Sequence, residues 1–283
     1  MKKILITGAG GMLAQDVDAV LQGSCEIITK GEHDLDICHG DKVCEIIDNL
    51  RPDIVINCAA YTRVDDCETE QEKAFAVNAE GVRNIALACR DQGSLLVHIS
   101  TDYVFDGTKK ESYRETDETH PLSIYGQSKL AGEKFVRDIL KRFVIIRSLW
   151  LYGRGGNNFV ATIQKLAQGK AELRVVNDQT GTPTYTRDLA HAVKALIRGN
   201  PQGIYHISNQ GTCTWYEFAC RIVKLTNSPA KVIPISSDEI KRPAKRPAYS
   251  VLDCSRFIQE TGGELRHWDA ALQEYLQEQQ AEV

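Results

Sequence analysis

Residues 2–7 form a short apolar run rich in β-favouring side chains, and Gly8-Ala9-Gly10-Gly11 breaks it at once. A helical pattern follows, with Val17, Val20 and Leu21 as its apolar side. A continuous hydrophobic run of this length fits a strand buried on both faces in a parallel sheet. The order strand, glycine-rich turn, helix leaves few folds open to the chain. Gly8 is placed to make the tight turn, and Gly11 to let a backbone approach a pyrophosphate at the helix N-terminus. Unpaired N–H groups and the helix dipole favour an anion there. Ala14 stands where a third Gly often packs helix on strand, and Ala is accepted at that place.

The pattern repeats. Strands are predicted at 26–29, 53–60 and 95–100, and helices at 41–50, ended by Pro52, and at 72–90 as one long element. This alternation predicts an α/β fold: a doubly wound parallel-sheet Rossmann domain with a smaller C-terminal α/β substrate domain. Residues 1–150 are expected to bind the dinucleotide and 151–283 mainly the substrate, with the segment 186–208 rejoining the first sheet. Helices are predicted at 157–168, 186–197, 214–225 and 268–280, the third capped by Thr214. Trp215, Tyr216 and Phe218 read as core, and Trp268, Leu272 and Leu276 as the packed side of the last helix. His98, inside the fourth strand, reads as a core histidine.

Composition excludes several classes. The chain has 283 residues, 42% hydrophobic and 25% charged, which suits one large or two smaller globular domains. A net charge of -4 provides no basic field for nucleic acid or a membrane surface. No apolar stretch is long enough to span a bilayer, and Gly8 to Gly11 interrupts the only signal-like start. Nine dispersed Cys with no C-x-x-C pair argue for a reducing cytoplasm, without a disulfide framework or a metal site.

Tyr125 and Lys129 lie four residues apart in a predicted helix, so both point into one space. A nearby ammonium is expected to lower the phenol's pKa and make it a proton donor and acceptor near neutral pH. Y-x-x-x-K alone is a common match. Thr101 follows the fourth strand, where its hydroxyl can orient a carbonyl oxygen toward Tyr125. Lys30 ends the second strand, where an acid would read a ribose 2′-hydroxyl; a cation suits a 2′-phosphate. NADPH is therefore favoured, with NADH the other candidate, although Glu32, Asp34 and Asp36 follow closely. Trp150 offers a flat face for a sugar ring.

Taken together, the T-G-x-x-G-x-x turn, the hydroxyl after the fourth strand and Y-x-x-x-K resemble the extended short-chain dehydrogenase/reductases. Further runs are similar to those of the dTDP-4-dehydrorhamnose reductase family within it. They are Asn57-Cys-Ala-Ala-Tyr-Thr-Arg-Val-Asp65, Ser100-Thr-Asp-Tyr-Val-Phe-Asp-Gly107, Arg147-Ser-Leu-Trp-Leu-Tyr-Gly153, Val175 to Thr184, Gly203-Ile-Tyr-His206 and Arg246 to Asp253. The resemblance implies NADPH-dependent reduction of the 4-keto group of dTDP-4-dehydro-L-rhamnose, with Tyr125 giving the proton and Lys129 holding the nicotinamide ribose. It implies that Gly11, Met12, Leu13, Asp36, Ile37, Ala60, Tyr61, Thr62 and Ile99 line the cofactor. It places Thr101, Asp102 and Trp150 against the sugar. Leu149 and Lys245 depart from the family pattern, where a small hydroxyl residue and Pro are usual. The expected partner is a nucleotide-sugar small molecule, with a homodimer as the assembly considered.

Lys241-Arg-Pro-Ala-Lys-Arg246 sets four cations in a short stretch of an acidic chain. Arg246, with Arg242, is expected to grip the substrate diphosphate. Two other functions share parts of this pattern: an epimerase or dehydratase that recycles tightly held NAD, and a regulatory subunit that binds NADP without turnover. Net consumption of reduced nicotinamide separates the first reading from both.

Overall fold

The computed structural model describes residues 1–281. Its first half runs β1 (Lys3–Thr7), α1 (Met12–Leu21), β2 (Glu26–Lys30), α2 (Gly40–Leu50), β3 (Ile54–Asn57), α3 (Val64–Cys67), α4 (Gln71–Phe75), α5 (Val82–Gln92), β4 (Leu95–Thr101), α6 (Ile124–Ile139) and β5 (Phe143–Ser148). Beyond it come β6 (Leu151–Tyr152), α7 (Phe159–Gly169), β7 (Glu172–Val176), β8 (Thr180–Gly181), β9 (Thr184–Tyr185), α8 (Thr186–Arg198), β10 (Gly203–His206), β11 (Cys213–Thr214), α9 (Trp215–Leu225), β12 (Lys231–Ile235), α10 (Ser255–Thr261) and α11 (Trp268–Ala281).

The central sheet has six strands in the order β10-β5-β4-β3-β1-β2, all parallel. Successive side chains of each strand point to opposite faces. Ile4, Ile6, Val97 and Ile146 therefore meet Val17, Leu21, Val193 and Leu196 of α1 and α8 on one face. Leu5, Val55, Leu96 and Ile145 meet Val43, Ile47, Ile85 and Val136 of α2, α5 and α6 on the other. This two-sided burial is why the strands read as unbroken apolar runs. Helix α8 packs on α1, and at the far edge of this sheet β10 pairs with β5.

The long helix expected at 72–90 is instead two helices joined through a π-helical segment, Ala76–Gly81. Two close approaches flank the widened turn. A Cβ on Gly81 would lie 2.6 Å from Ile37 Cγ1, and one on Gly132 would lie 2.3 Å from the Asn78 carbonyl oxygen. The turn carries Asn78, whose side chain accepts from Tyr61 N (2.8 Å) and donates to Tyr61 O (3.0 Å) and Ser128 Oγ (3.1 Å). π-turns of this kind are frequent at functional sites.

A second core joins α7, α9 and α11 around Phe218, Ile222, Trp268, Leu272 and Tyr275. Its parallel pair β7–β12 and the short pairs β6–β9 and β8–β11 stand beside the main sheet. Thr214 caps α9 through a reciprocal capping box with Glu217. Among the described residues no helix is long and apolar enough to cross a membrane.

Candidate active site

The carboxyl ends of β1, β3 and β4 converge on one crevice edge, the usual ligand position in an open parallel sheet. Gly8 leaves β1 at φ 74°, and a Cβ there would lie 2.6 Å from Ala59 N. Only glycine fits both the left-handed backbone and this contact. Gly11 is the N-cap of α1, which has no side-chain cap, so the first-turn N–H groups face outward from the turn. Met12 is half-buried, whereas the Leu13 side chain belongs to the core beneath. Lys30 ends β2 half-buried; its carbonyl accepts from Ala9 N at 3.0 Å, and among the described residues its ammonium makes no ion pair. Asp36 is engaged in its own turn, accepting from Cys38 N at 2.9 Å, and the Ile37 side chain is buried against Gly81. Ala60 and Tyr61 are half-buried and Thr62 is exposed, with the Tyr61 backbone pinned by Asn78.

The reacting groups are set by α6 and the end of β4. Ser123 caps α6, accepting from Gly126 N at 3.2 Å. Gly126 lets the helix start press on the segment after β4; a Cβ there would lie 2.3 Å from Tyr103 O. This contact brings the Tyr125 ring edge-on to Tyr103, centroids 5.4 Å apart. Thr101 Oγ1 donates to Asp102 Oδ1 at 3.0 Å and accepts from Tyr103 N. Burial pushes the Asp102 carboxyl up to about 6, against hydrogen bonds from Ser250 and Thr101.

The expected lowering of the Tyr125 pKa is corrected by this geometry. Burial pushes the phenol well above its ordinary value, a hydrogen bond with Thr101 opposes this, and Asp102 and Tyr103 add to it. The Lys129 ammonium does not reach across to quench a phenolate: its Nζ donates to the Ile99 carbonyl at 2.7 Å, with the side chain 2% exposed. Burial pushes Lys129 down to about 8, with Glu133 the larger of the opposing influences. In the free protein, then, the phenol holds its proton, which is the state a donor needs.

A cavity of about 1110 Å³ reaches Tyr103, whose ring meets Tyr125, and is lined also by Phe159, Trp215, Arg174, Arg242 and Arg246. The position of Arg246 changes its expected role. Its two terminal nitrogens are committed to Asp65 of α3, at 3.0 and 2.8 Å, and one of them also donates to Ala244 O. Arg242 faces the same cavity; burial first, and then the like charge of Arg246 beside it, works against its ionisation. Trp150 has φ 48°, rare for a bulky residue and strained. Its indole stacks on Trp215 at 3.5 Å between centroids, so one of its faces is covered. Leu149 is 2% exposed, packed with Val104, Phe105 and Tyr113, and so stays out of the cavity; Lys245 lines it.

Sequence reasoning missed Trp215, which it placed in the core, and also Tyr103 and Asn78. The Thr214 cap puts Trp215 at the first position of α9, on the cavity side, while Phe218 one turn on is fully buried.

A family model described as RmlD substrate binding domain matches residues 1–281. The spore coat polysaccharide biosynthesis protein SpsK of Bacillus subtilis is 47% identical over 98% of this chain and 98% of its own. A crystal structure of a dTDP-4-dehydrorhamnose reductase from Clostridium acetobutylicum superposes with a TM-score of 0.96 at 45% identity, covering 98% of this chain and 99% of that one. The dTDP-4-dehydrorhamnose reductase of Bacillus anthracis, solved in complex with NADP, has the same TM-score at 39% identity, covering 98% and 99%.

Proposed function

The chain belongs to the RmlD substrate binding domain family, and from that membership we propose that it reduces the 4-keto group of dTDP-4-dehydro-L-rhamnose with NADPH, giving dTDP-L-rhamnose. It is an oxidoreductase. The observation that carries the reading is the meeting of a protonated Tyr125, the Thr101 hydroxyl and the buried Lys129 ammonium at the end of β4. Its test is the product: incubation with the keto sugar nucleotide should yield a species heavier by one hydride and one proton.

The crevice fits the cofactor on its own chemistry. The uncapped start of α1 suits a pyrophosphate, Gly8 lets β1 and residue 59 close on each other, and Lys30 offers a cation that a 2′-phosphate would suit. NADPH, when bound, supplies the hydride. Tyr125 keeps a proton on its phenol oxygen until the ketone oxygen takes it. Thr101 Oγ1 gives its one hydrogen to Asp102 in the free protein and turns it to the ketone oxygen when that oxygen arrives. Lys129 gives one N–H to Ile99 and has two left for the nicotinamide ribose.

Lys30→Ala is expected to cut the preference for NADPH over NADH about tenfold or more, the loss of one contact to a charged group. Dissociation constants for both nucleotides measure it, and an unchanged ratio would hand the 2′-phosphate to another residue.

Arg246 is spoken for by Asp65, so we place the diphosphate grip on Arg242, whose crowded charge an anion relieves. Arg246 then ties the loop of residues 241–247 to α3. Arg242→Ala should raise KM for the sugar nucleotide about tenfold. Asp65→Asn should raise it too, by loosening the loop. A lower KM in Asp65→Asn would mean that Asp65 competes with substrate for Arg246 and that Arg246 is the grip after all.

A further inference from the structure

One turn beyond Lys129 on the same face of α6 lies Glu133, 1% exposed, in a part of the molecule that the reaction does not enter. Ser100 Oγ donates to its Oε1 at 2.5 Å. Arg147, at the end of β5, clamps it with Nε to Oε1 at 2.9 Å and Nη2 to Oε2 at 2.6 Å. The guanidinium lies over the Phe105 ring at 5.2 Å, and its Nη1 is 3.5 Å from His206 Nε2 on β10. His206 Nδ1 lies 2.9 Å from the Tyr113 carbonyl, so Nδ1 donates there and Nε2 is left as an acceptor toward Arg147. Burial and Arg147 push His206 down to about 3, so this histidine is neutral.

Two consecutive residues of β4 thus hold two consecutive turns of α6. Ile99 offers its carbonyl to Lys129, and Ser100 offers its hydroxyl to Glu133. A buried ion pair is poor evidence of a stability role, because apolar side chains of similar volume often stabilise as much or more. We infer that Glu133 is a positioning residue for Lys129: clamped between β4 and β5, it fixes the helix turn that carries Lys129 and supplies the negative charge that keeps the buried ammonium ionised. The groups facing Lys129 support this. His98 of β4 is held neutral by burial and by Lys129 itself. Cys58, after β3, has its thiol pushed up to about 12. Glu133 supplies the nearby carboxylate. Around Glu133 stand Ser100 of β4 and Arg147 of β5, with neutral His206 of β10 behind the arginine.

The inference rests on the reading that Lys129 holds the nicotinamide ribose, but its test can stand apart from it. The Lys129 ammonium is titrated directly by NMR of side-chain-labelled protein, and NADPH dissociation constants are measured over the same pH range. In the wild type both should break near 8, affinity weakening as the ammonium is lost. In Glu133→Gln the titration should move down by about one pH unit or more, so that at pH 7.5 NADPH binds roughly threefold more weakly from titration alone. Ser100→Ala removes a hydrogen bond but no charge, so it should lower thermal stability and leave the titration near 8. Should Glu133→Gln not fold, Glu133→Met with Arg147→Met removes the pair as a unit and should shift the titration in the same direction. An unmoved Lys129 titration in a folded variant lacking the carboxylate overturns the inference. A moved titration with NADPH affinity flat across the wild-type break upholds Glu133 and removes the ribose role of Lys129 instead.

Discussion

Tyr125→Phe is expected to lower kcat about a hundred- to ten-thousand-fold, the usual worth of a positioned general acid. NADPH affinity should stay within a small factor of wild type. The change deletes one oxygen and leaves the ring, its edge-on contact with Tyr103 and the Ser123 cap of α6 in place. Tyr125 holds its proton strongly in the free protein, so the wild-type rate should not fall on the alkaline side through phenol ionisation anywhere near neutral pH. Steady-state rates with nucleotide binding by fluorescence separate the two effects. A mutant with near-normal kcat would remove Tyr125 from the proton transfer, and one that no longer bound NADPH would make it a structural residue.

Lys129→Met should damage both parameters. The methionine fills similar space but carries neither charge nor N–H groups, so the Ile99 carbonyl loses its donor and the ribose loses its holder. A hydrogen bond from a charged group is worth about 1.5–3 kcal/mol, so NADPH should bind roughly ten- to a hundredfold more weakly. Turnover should fall as well, since a displaced nicotinamide leaves the ketone out of line with Tyr125. Weak binding with normal kcat at saturating NADPH would confine Lys129 to holding the cofactor. An unchanged dissociation constant would exclude even that.

The sheet was legible because its strands are buried on both faces and each is followed by turn residues and a helical period. Gly8 and Gly11 were legible for a stricter reason: the backbone at Gly8 admits no side chain. The π-turn at Ala76–Gly81 was not legible in periodicity, because a segment of six residues is too short to show a period of its own. Its close neighbours, Ile37 and Gly132, are distant in sequence. The pair Tyr125 and Lys129 was visible, but its electrostatics were not. Helical spacing places two side chains on one face without saying that the ammonium is drawn to the Ile99 carbonyl, or that burial, with Asp102 adding to it, raises the phenol. The basic run ending in Arg246 was read as a free anion grip, because Asp65, which takes up its fork, lies far away in sequence. Leu149 looked like a change in the pocket and proves to be core, its side chain turned toward Phe105 and Tyr113.

The central claim is net reduction, and absorbance of the reduced nicotinamide measures it directly. Purified protein is given NADPH in excess over enzyme and a limiting amount of dTDP-4-dehydro-L-rhamnose, with Tyr125→Phe as the control. The account predicts that one NADPH is consumed for each sugar nucleotide converted, and that the control is slower by the factor given above. Conversion of the sugar nucleotide with no net loss of NADPH would contradict it and point to an epimerase or dehydratase that recycles its nicotinamide. Tight NADPH binding with no conversion at all would contradict it as well, and point to a binding protein built on this fold.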